Sequence, residues 1–357
     1  MSSATEIDAV TRARRRPRAR PLPPELLVVA RKQHLALTGQ QASGILGERG
    51  LRSAVRTGTL VRLWRNAFAV PDWQNVAAPG GSLDGAVNAG DEPTVGRAAG
   101  SRTAPASSAS RICTAPVRTR LAAAELTLGG PVTACLSTAA ELYGFGIGPH
   151  AVTHIVGIRP TALASLMVHR TPPIAPLQRA GRFCVVHPAE TAVRAAARTP
   201  HPAQGLALLD AALRTGFVVP SGLTEIAGEL HIDGIGLVRT LIPLADARAE
   251  SPPESWLRWL CHDAGLPRPV PQFWVRCRDG SSYRLDLAWP RAKLALEYDG
   301  VEFHTGAALT KDRARLNALT AEGWTVLAVT APMLTGGRDK LVSQIVGELS
   351  RAGAVAG

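Results

Sequence analysis

The chain has 357 residues, enough for two or three domains with cores of their own, and 46% hydrophobic against 19% charged residues exclude a largely disordered protein. A formal charge of +12 points toward an anionic partner such as nucleic acid. Only Lys32, Lys293, Lys311 and Lys340 are lysines, however, and so heavy a bias to arginine, with abundant alanine, also reflects a GC-rich genome. Five cysteines without a Cys-x-x-Cys pair argue against a disulfide framework or a zinc ribbon and fit a reducing cytoplasm. No run of 18 apolar residues occurs, so no membrane span is expected.

Residues 1–21 contain the run TRARRRPRAR and read as a basic disordered tail; the LLVVA that follows is too short for a signal-peptide core. Residues 22–73 predict three short helices, PPELLVVARKQHL, TGQQASGILGERG capped by Thr38, and LRSAVRTG ending at Gly58. Two runs of β-formers in TLVRLWRNAFAVP then predict a hairpin turning at Arg65-Asn66. Three helices and a hairpin are the plan of a winged helix, whose third helix enters the major groove while the wing touches the backbone. Arg52, Arg56, Arg62 and Arg65 are then the candidate DNA contacts; the alternative is a plain solvated arginine face.

The segment GTLVRLWRNAFAV resembles the wing of the abortive-infection antitoxins of the AbiEi type, with Asn66 where a glycine is usual. Asparagine also tolerates a left-handed backbone. That resemblance implies DNA as partner, and a nucleotidyltransferase-type toxin or its operator. Residues 74–110, rich in Gly, Ala, Ser and Pro, read as a low-complexity linker. Residues 111–248 alternate apolar helical spacing with short β-branched runs, which predicts a small α+β domain similar to the continuation of those antitoxins. His154, His169 and His187 lack the spacing of metal ligands and are expected to cap turns or line a surface.

Residues 249–357 form the third expected domain and carry the chemistry. SPPESWLRWLCHDAGL predicts a helix with Ser251 at its N-cap and Glu254 completing a capping box. Glu254 also heads the stripe Leu257, Cys261 and Ala264, so its carboxylate is expected to face a neighbouring sheet. In SYRLDLAW, alternation places Tyr283, Leu285, Leu287 and Trp289 on one face and Arg284, Asp286 and Ala288 on the other. In LALEYDG, Glu297 and Asp299 share a face opposite Leu294, Leu296 and Tyr298. Converging carboxylates raise each other's pKa unless a counter-charge is present. Mg²⁺ or Mn²⁺ supplies one in a way that suits hard oxygen ligands; pairing with arginines on a solvated face is the alternative. The helix after His304, the glycine at 323 and the strand WTVLAVT predict a crossover into a parallel strand and hence a mixed sheet.

The succession RLDLAW, LALEYDG, His304, KDRARLNALTAEGW and TVLAVT resembles the branch of the PD-(D/E)XK restriction-endonuclease-like superfamily that contains the very short patch repair endonucleases. It implies a metal-dependent DNA endonuclease with Asp286, Glu297 and Glu254 as metal ligands. Asp299 stands where the superfamily has a lysine, and His304 is the substitute that the repair branch implies; Lys293, Lys311 or Arg315 are other sources of positive charge. Lys311 and Arg315 would touch the DNA backbone. The expected fold class is thus a multidomain α/β and α+β chain: a winged helix, a small α+β domain, and a restriction-endonuclease-like mixed sheet flanked by helices.

Overall fold

A computed structural model of the chain describes residues 20–71, 115–146, 152–300 and 307–353. The arginine run of the expected tail, the expected linker at 74–110 and His304 lie outside the described residues. The chain divides into two compact units. The first takes the described residues up to 134 with 152–170 and 181–184; the second takes 135–146, 171–180 and the described residues from 185 onward.

In the first unit, Pro24 opens α1 (Pro24–Lys32), where a fixed φ and a missing N–H cost a helix nothing. Positive φ at His34 and Leu35 then turns the chain into a strand that sequence patterning did not predict, β1 (Ala36–Thr38). Thr38 caps α2 (Gly39–Thr57): its Oγ1 accepts from the Gln41 amide at 3.1 Å, and Gln41 Oε1 accepts from the Thr38 amide at 2.9 Å. The expected break between the second and third helices falls at Gly47, with φ 69° and ψ 160°, rather than near Gly50. Gly58 closes the helix in the left-handed conformation.

The hairpin β2 (Val61–Trp64) and β3 (Ala67–Ala69) follows as expected, and β1 pairs with β3 to give an antiparallel sheet in the order β1-β3-β2. Asn66 does not adopt the left-handed backbone anticipated for it. Its Oδ1 instead accepts from the Gly39 amide at 3.1 Å, an approach so close that a Cβ at Gly39 would meet it at 2.6 Å. Leu26, Leu37, Leu51, Leu60 and Phe68 form the core between helices and sheet.

The helix α3 (Val117–Leu128) packs on β1 and β3 and buries Leu121 through Ala124. Arg120 on it is fully buried, donating to Ala115 O at 3.0 Å and to Thr153 Oγ1 at 3.2 Å. β4 (Thr133–Ala134) pairs antiparallel with β5 (Thr153–Val156), and β5 parallel with β6 (Leu166–His169). Trp64 Nε1 donates to Ala164 O at 2.8 Å, so the hairpin is fastened within this unit.

In the second unit, α4 (Leu136–Tyr143) and the short strand β7 (Gln178–Ala180) precede a run of helices, whereas β8 (Phe183–Val185) begins in the first unit and ends in the second. These are α5 (Pro188–Ala196), α6 (Pro202–Arg214), α7 (Pro220–Glu229) and α8 (Ile235–Leu241). Glu190 is buried in α5 and is satisfied by the amides of Ile174 and Ala175 and by Arg194 Nε at 2.6 Å. The helix α9 (Pro252–Asp263) lies along α6, and Asp210 of α6 accepts from Ser255 Oγ at 2.6 Å, Arg258 Nη2 at 2.9 Å and the Asp246 amide at 2.8 Å. The expected boundary at 249 therefore falls inside this unit.

Four strands complete it: β9 (Val270–Arg276), β10 (Ser282–Trp289), β11 (Leu294–Tyr298) and β12 (Thr325–Val329), in the order β12-β11-β10-β9. β9, β10 and β11 are antiparallel neighbours, whereas β12 runs parallel to β11 after the helix α10 (Ala307–Ala321), so the sheet is mixed as expected. The short α11 (Ala331–Thr335) leads to α12 (Arg338–Arg351). α9 and α12 cover one face through Leu257, Cys261, Leu341 and Ile345. Leu319 of α10 packs with Leu285, Ala295 and Trp324 on the other.

Candidate active site

The expected alternation along β10 holds only up to Asp286. Tyr283 and Leu285 pack with Val275 and Trp324, whereas Leu287 and Trp289 pack with α9 and α12 on the opposite face. Residues two apart in a strand normally share a face, so the strand is irregular at Asp286. The neighbouring strand is unusual at the same level. Leu285 pairs with Phe273 and Leu287 with Pro271, which sets Asp286 opposite Gln272, and Gln272 has φ 53°, a left-handed value inside a strand. Lacking β9 in the expected elements, the alternation rule had no means of anticipating this.

The β10–β11 ladder ends at Leu287 and Leu296, just short of Asp286. Beyond it the Asp286 side chain takes over: its Oδ2 accepts from the Tyr298 amide at 2.9 Å. Glu297, the next residue on β11, is gripped by both guanidinium nitrogens of Arg315 from α10, one at 2.6 Å, and Arg315 also donates to Arg284 O at 3.0 Å. Glu254, buried at the start of α9, collects Ser251 Oγ at 2.7 Å, the Glu250 amide at 3.0 Å and Gln272 Nε2 at 2.8 Å. The expected capping box is therefore not formed. The Ser251 side chain accepts no helix amide and donates to Glu254 instead.

Asp286 senses the other acids. Burial, opposed by the Tyr298 amide and reinforced by the negative charges of Glu254 and Glu297, pushes its carboxyl up to about 6. Arg315 pulls in the opposite direction. Among the described residues, burial, Glu254 and Glu297 together thus outweigh the Tyr298 amide and Arg315. Among the described residues no three His, Cys, Asp or Glu side chains converge closely enough to enclose a metal ion. Mg²⁺ is usually held by one or two carboxylates, with water and phosphate oxygens completing an octahedron. Asp286 and Glu297, on adjacent strands where the ladder opens, match that smaller donor set in chemistry.

The remaining expected site residues scatter. Asp299 is exposed past the end of β11, its amide donating to Val329 O at 2.9 Å, and Lys311 is exposed on α10. Lys293 sits at the far end of β11 and donates to Glu322 O at 2.6 Å. Arg52, Arg56, Arg62 and Arg65 are exposed in the first unit, with Arg62 Nη2 folded back onto Arg65 O at 2.8 Å. His154 Nδ1 and His169 Nε2 meet at 2.8 Å between β5 and β6, and His187 occupies the N-cap position of α5. Sequence reading missed Gln272; its only local signal is a lone amide in the β-forming run VPQFWV.

No family model matches the chain, and no solved structure matches it. Two relatives do: the uncharacterized protein MT2308 of Mycobacterium tuberculosis (strain CDC 1551 / Oshkosh) and the uncharacterized protein Rv2248 of Mycobacterium tuberculosis (strain ATCC 25618 / H37Rv). Each is 38% identical over 237 residues, which span 65% of this chain and 87% of the relative. The chain belongs to the family of these two mycobacterial proteins. Within the chain, the described residues include no helix long and apolar enough to cross a membrane.

Proposed function

We propose that this protein is a DNA-binding, divalent-metal-dependent endonuclease of the PD-(D/E)XK type, acting in the cytoplasm. The observation that carries the reading is Asp286: a carboxylate at the point where β10 and β11 part, held near pKa 6 by burial and by Glu254 and Glu297. Surplus negative charge in a half-buried pocket is costly unless a cation joins it. Asp286 and Glu297 would hold Mg²⁺ or Mn²⁺, and Glu254 would steady the pocket from α9. A cation bound there lowers the pKa of a coordinated water and offsets charge developing on a phosphodiester. The Tyr298 amide fixes the Asp286 carboxylate, and Arg315, already beside Glu297, is placed to contact a phosphate. In the first unit, the helices and three-stranded sheet support a winged helix whose exposed Arg52, Arg56, Arg62 and Arg65 contact the backbone.

The test is cleavage of supercoiled plasmid and of duplex oligonucleotides by the full chain with Mg²⁺ or Mn²⁺. The parent should cut, and Asp286→Ala and Glu297→Ala should each lose at least a hundredfold in rate. Cutting by both variants at the parent rate sinks the assignment. One observation favours a second reading: Arg315 takes up both oxygens of Glu297. On that reading the protein is a non-enzymatic, antitoxin-like regulator partnered by an operator and a nucleotidyltransferase-type toxin. It then binds DNA with a steep salt dependence that flattens in Arg52→Ala and Arg62→Ala, and never cleaves it.

A further inference from the structure

We propose that Gln272 belongs to this site as a positioning residue, holding Glu254 and presenting a neutral carbonyl oxygen to the same cation. This rests on the reading of the acids as a cation site. Three observations converge on it. The ladder between β9 and β10 pairs Leu285 with Phe273 and Leu287 with Pro271, which leaves Gln272 across from Asp286. Its backbone has φ 53°, a conformation that a side chain with a Cβ adopts at a cost and that a regular strand has no use for. Its side chain is split in function: Nε2 donates to Glu254 Oε2 at 2.8 Å, whereas Oε1 is buried and accepts no hydrogen bond among the described residues.

A buried amide oxygen without a donor is rare, because desolvation is then uncompensated. The donor bond to Glu254 sets the orientation of the amide: the N–H group goes to the acid, and the oxygen remains for a cation or a metal-bound water. Amide carbonyls are hard oxygen ligands, and they add coordination without adding to the negative charge already raising Asp286.

Titration of the full chain with Mn²⁺ alone, followed by calorimetry and by the Mn²⁺ electron spin resonance signal, tests this without any need for activity. Gln272→Gly suits the positive φ, so its melting temperature should stay within a few degrees of the parent while the side chain is lost. Its Mn²⁺ affinity should drop about tenfold, the scale of losing a group that orients metal ligands. Gln272→Asn also tolerates the left-handed backbone and is too short to reach Glu254; it should weaken binding similarly, and it replaces the glycine variant if that one does not fold. If the parent binds Mn²⁺ and a folded variant binds it equally well, Gln272 serves only the backbone and the proposal is overturned. If the parent binds no Mn²⁺, the cation-site reading of the acids fails, and this inference with it.

Discussion

Replacing Asp286 by asparagine should make the metal-free protein more stable at pH 8. The carboxyl is pushed from 3.8 up to about 6 by burial and by the charges of Glu254 and Glu297. Because the folded value lies above the unfolded one, the native protein holds the extra proton between about pH 4 and 6, and stability falls as pH rises through that window. A separation of about two units corresponds to about 3 kcal/mol at most. Solvent reaching a carboxylate that is only partly buried screens this to roughly 1–2 kcal/mol. Asparagine cannot ionise, yet its Oδ1 still accepts the Tyr298 amide, so the variant sheds the charge and keeps the bond. Urea unfolding read by pulse-labelled hydrogen exchange in β10 and β11 isolates this part of the chain from the other unit. The variant should lead by roughly 1–2 kcal/mol at pH 8 and by nothing at pH 4. Saturating Mn²⁺ should reverse the order, since a ligand at a hundred times its Kd adds about 2.7 kcal/mol to the protein that binds it. An equal gap at both pH values, or none at pH 8, would refute the account of the pocket as an uncompensated charge cluster.

Two further substitutions probe what surrounds the acids. Arg258→Met leaves the buried Asp210 without its guanidinium and should cost roughly 3–5 kcal/mol, with part recovered when Asp210→Asn is added; melting temperatures of the single and double variants check it. Arg315→Met removes the bidentate partner of Glu297 and the positive charge that restrains Asp286, so carboxyl carbon NMR should show Asp286 titrating higher than in the parent, with a stability loss of about 2 kcal/mol at pH 8.

Features that depend on neighbours in sequence were legible beforehand. The Thr38 cap, the hairpin around Arg65 and Asn66, and the glycine-ended helix leading into a parallel strand all follow from rules acting over a few residues. What patterning could not supply depends on distant partners. The chain has 40 basic residues, and nothing local separates Arg120, sealed against Ala115 and Thr153, or Arg258, sealed against Asp210, from those left in solvent. The same holds for the unit boundary, since the Asp210–Arg258 pair ties α6 to α9 across 48 positions of sequence. β9 escaped notice because proline and glutamine interrupt its apolar run, although proline is tolerated on an edge strand, where β9 lies.

The acids show where local reasoning succeeds for the wrong reason. Period-two alternation put Asp286 and Glu297 on one side of a hairpin, and the structure does bring them together, but not by that route. Alternation survives along β11 and fails along β10, where Leu285 and Leu287 turn to opposite faces around Asp286. Had the strand stayed regular, the ladder would have continued to pair β10 with β11 past Leu287, and the Tyr298 amide would have had a backbone partner instead of the Asp286 carboxylate. The irregularity opposite Gln272 opens the ladder, frees the Asp286 side chain to work at its end, and leaves room for Glu254 to approach from the α9 face while Glu297 is gripped from the α10 face. A site that gathers carboxylates from both sides of a sheet needs such a break. It lies across from a glutamine with a left-handed backbone one strand away, a residue that the spacing of the acids does not reveal.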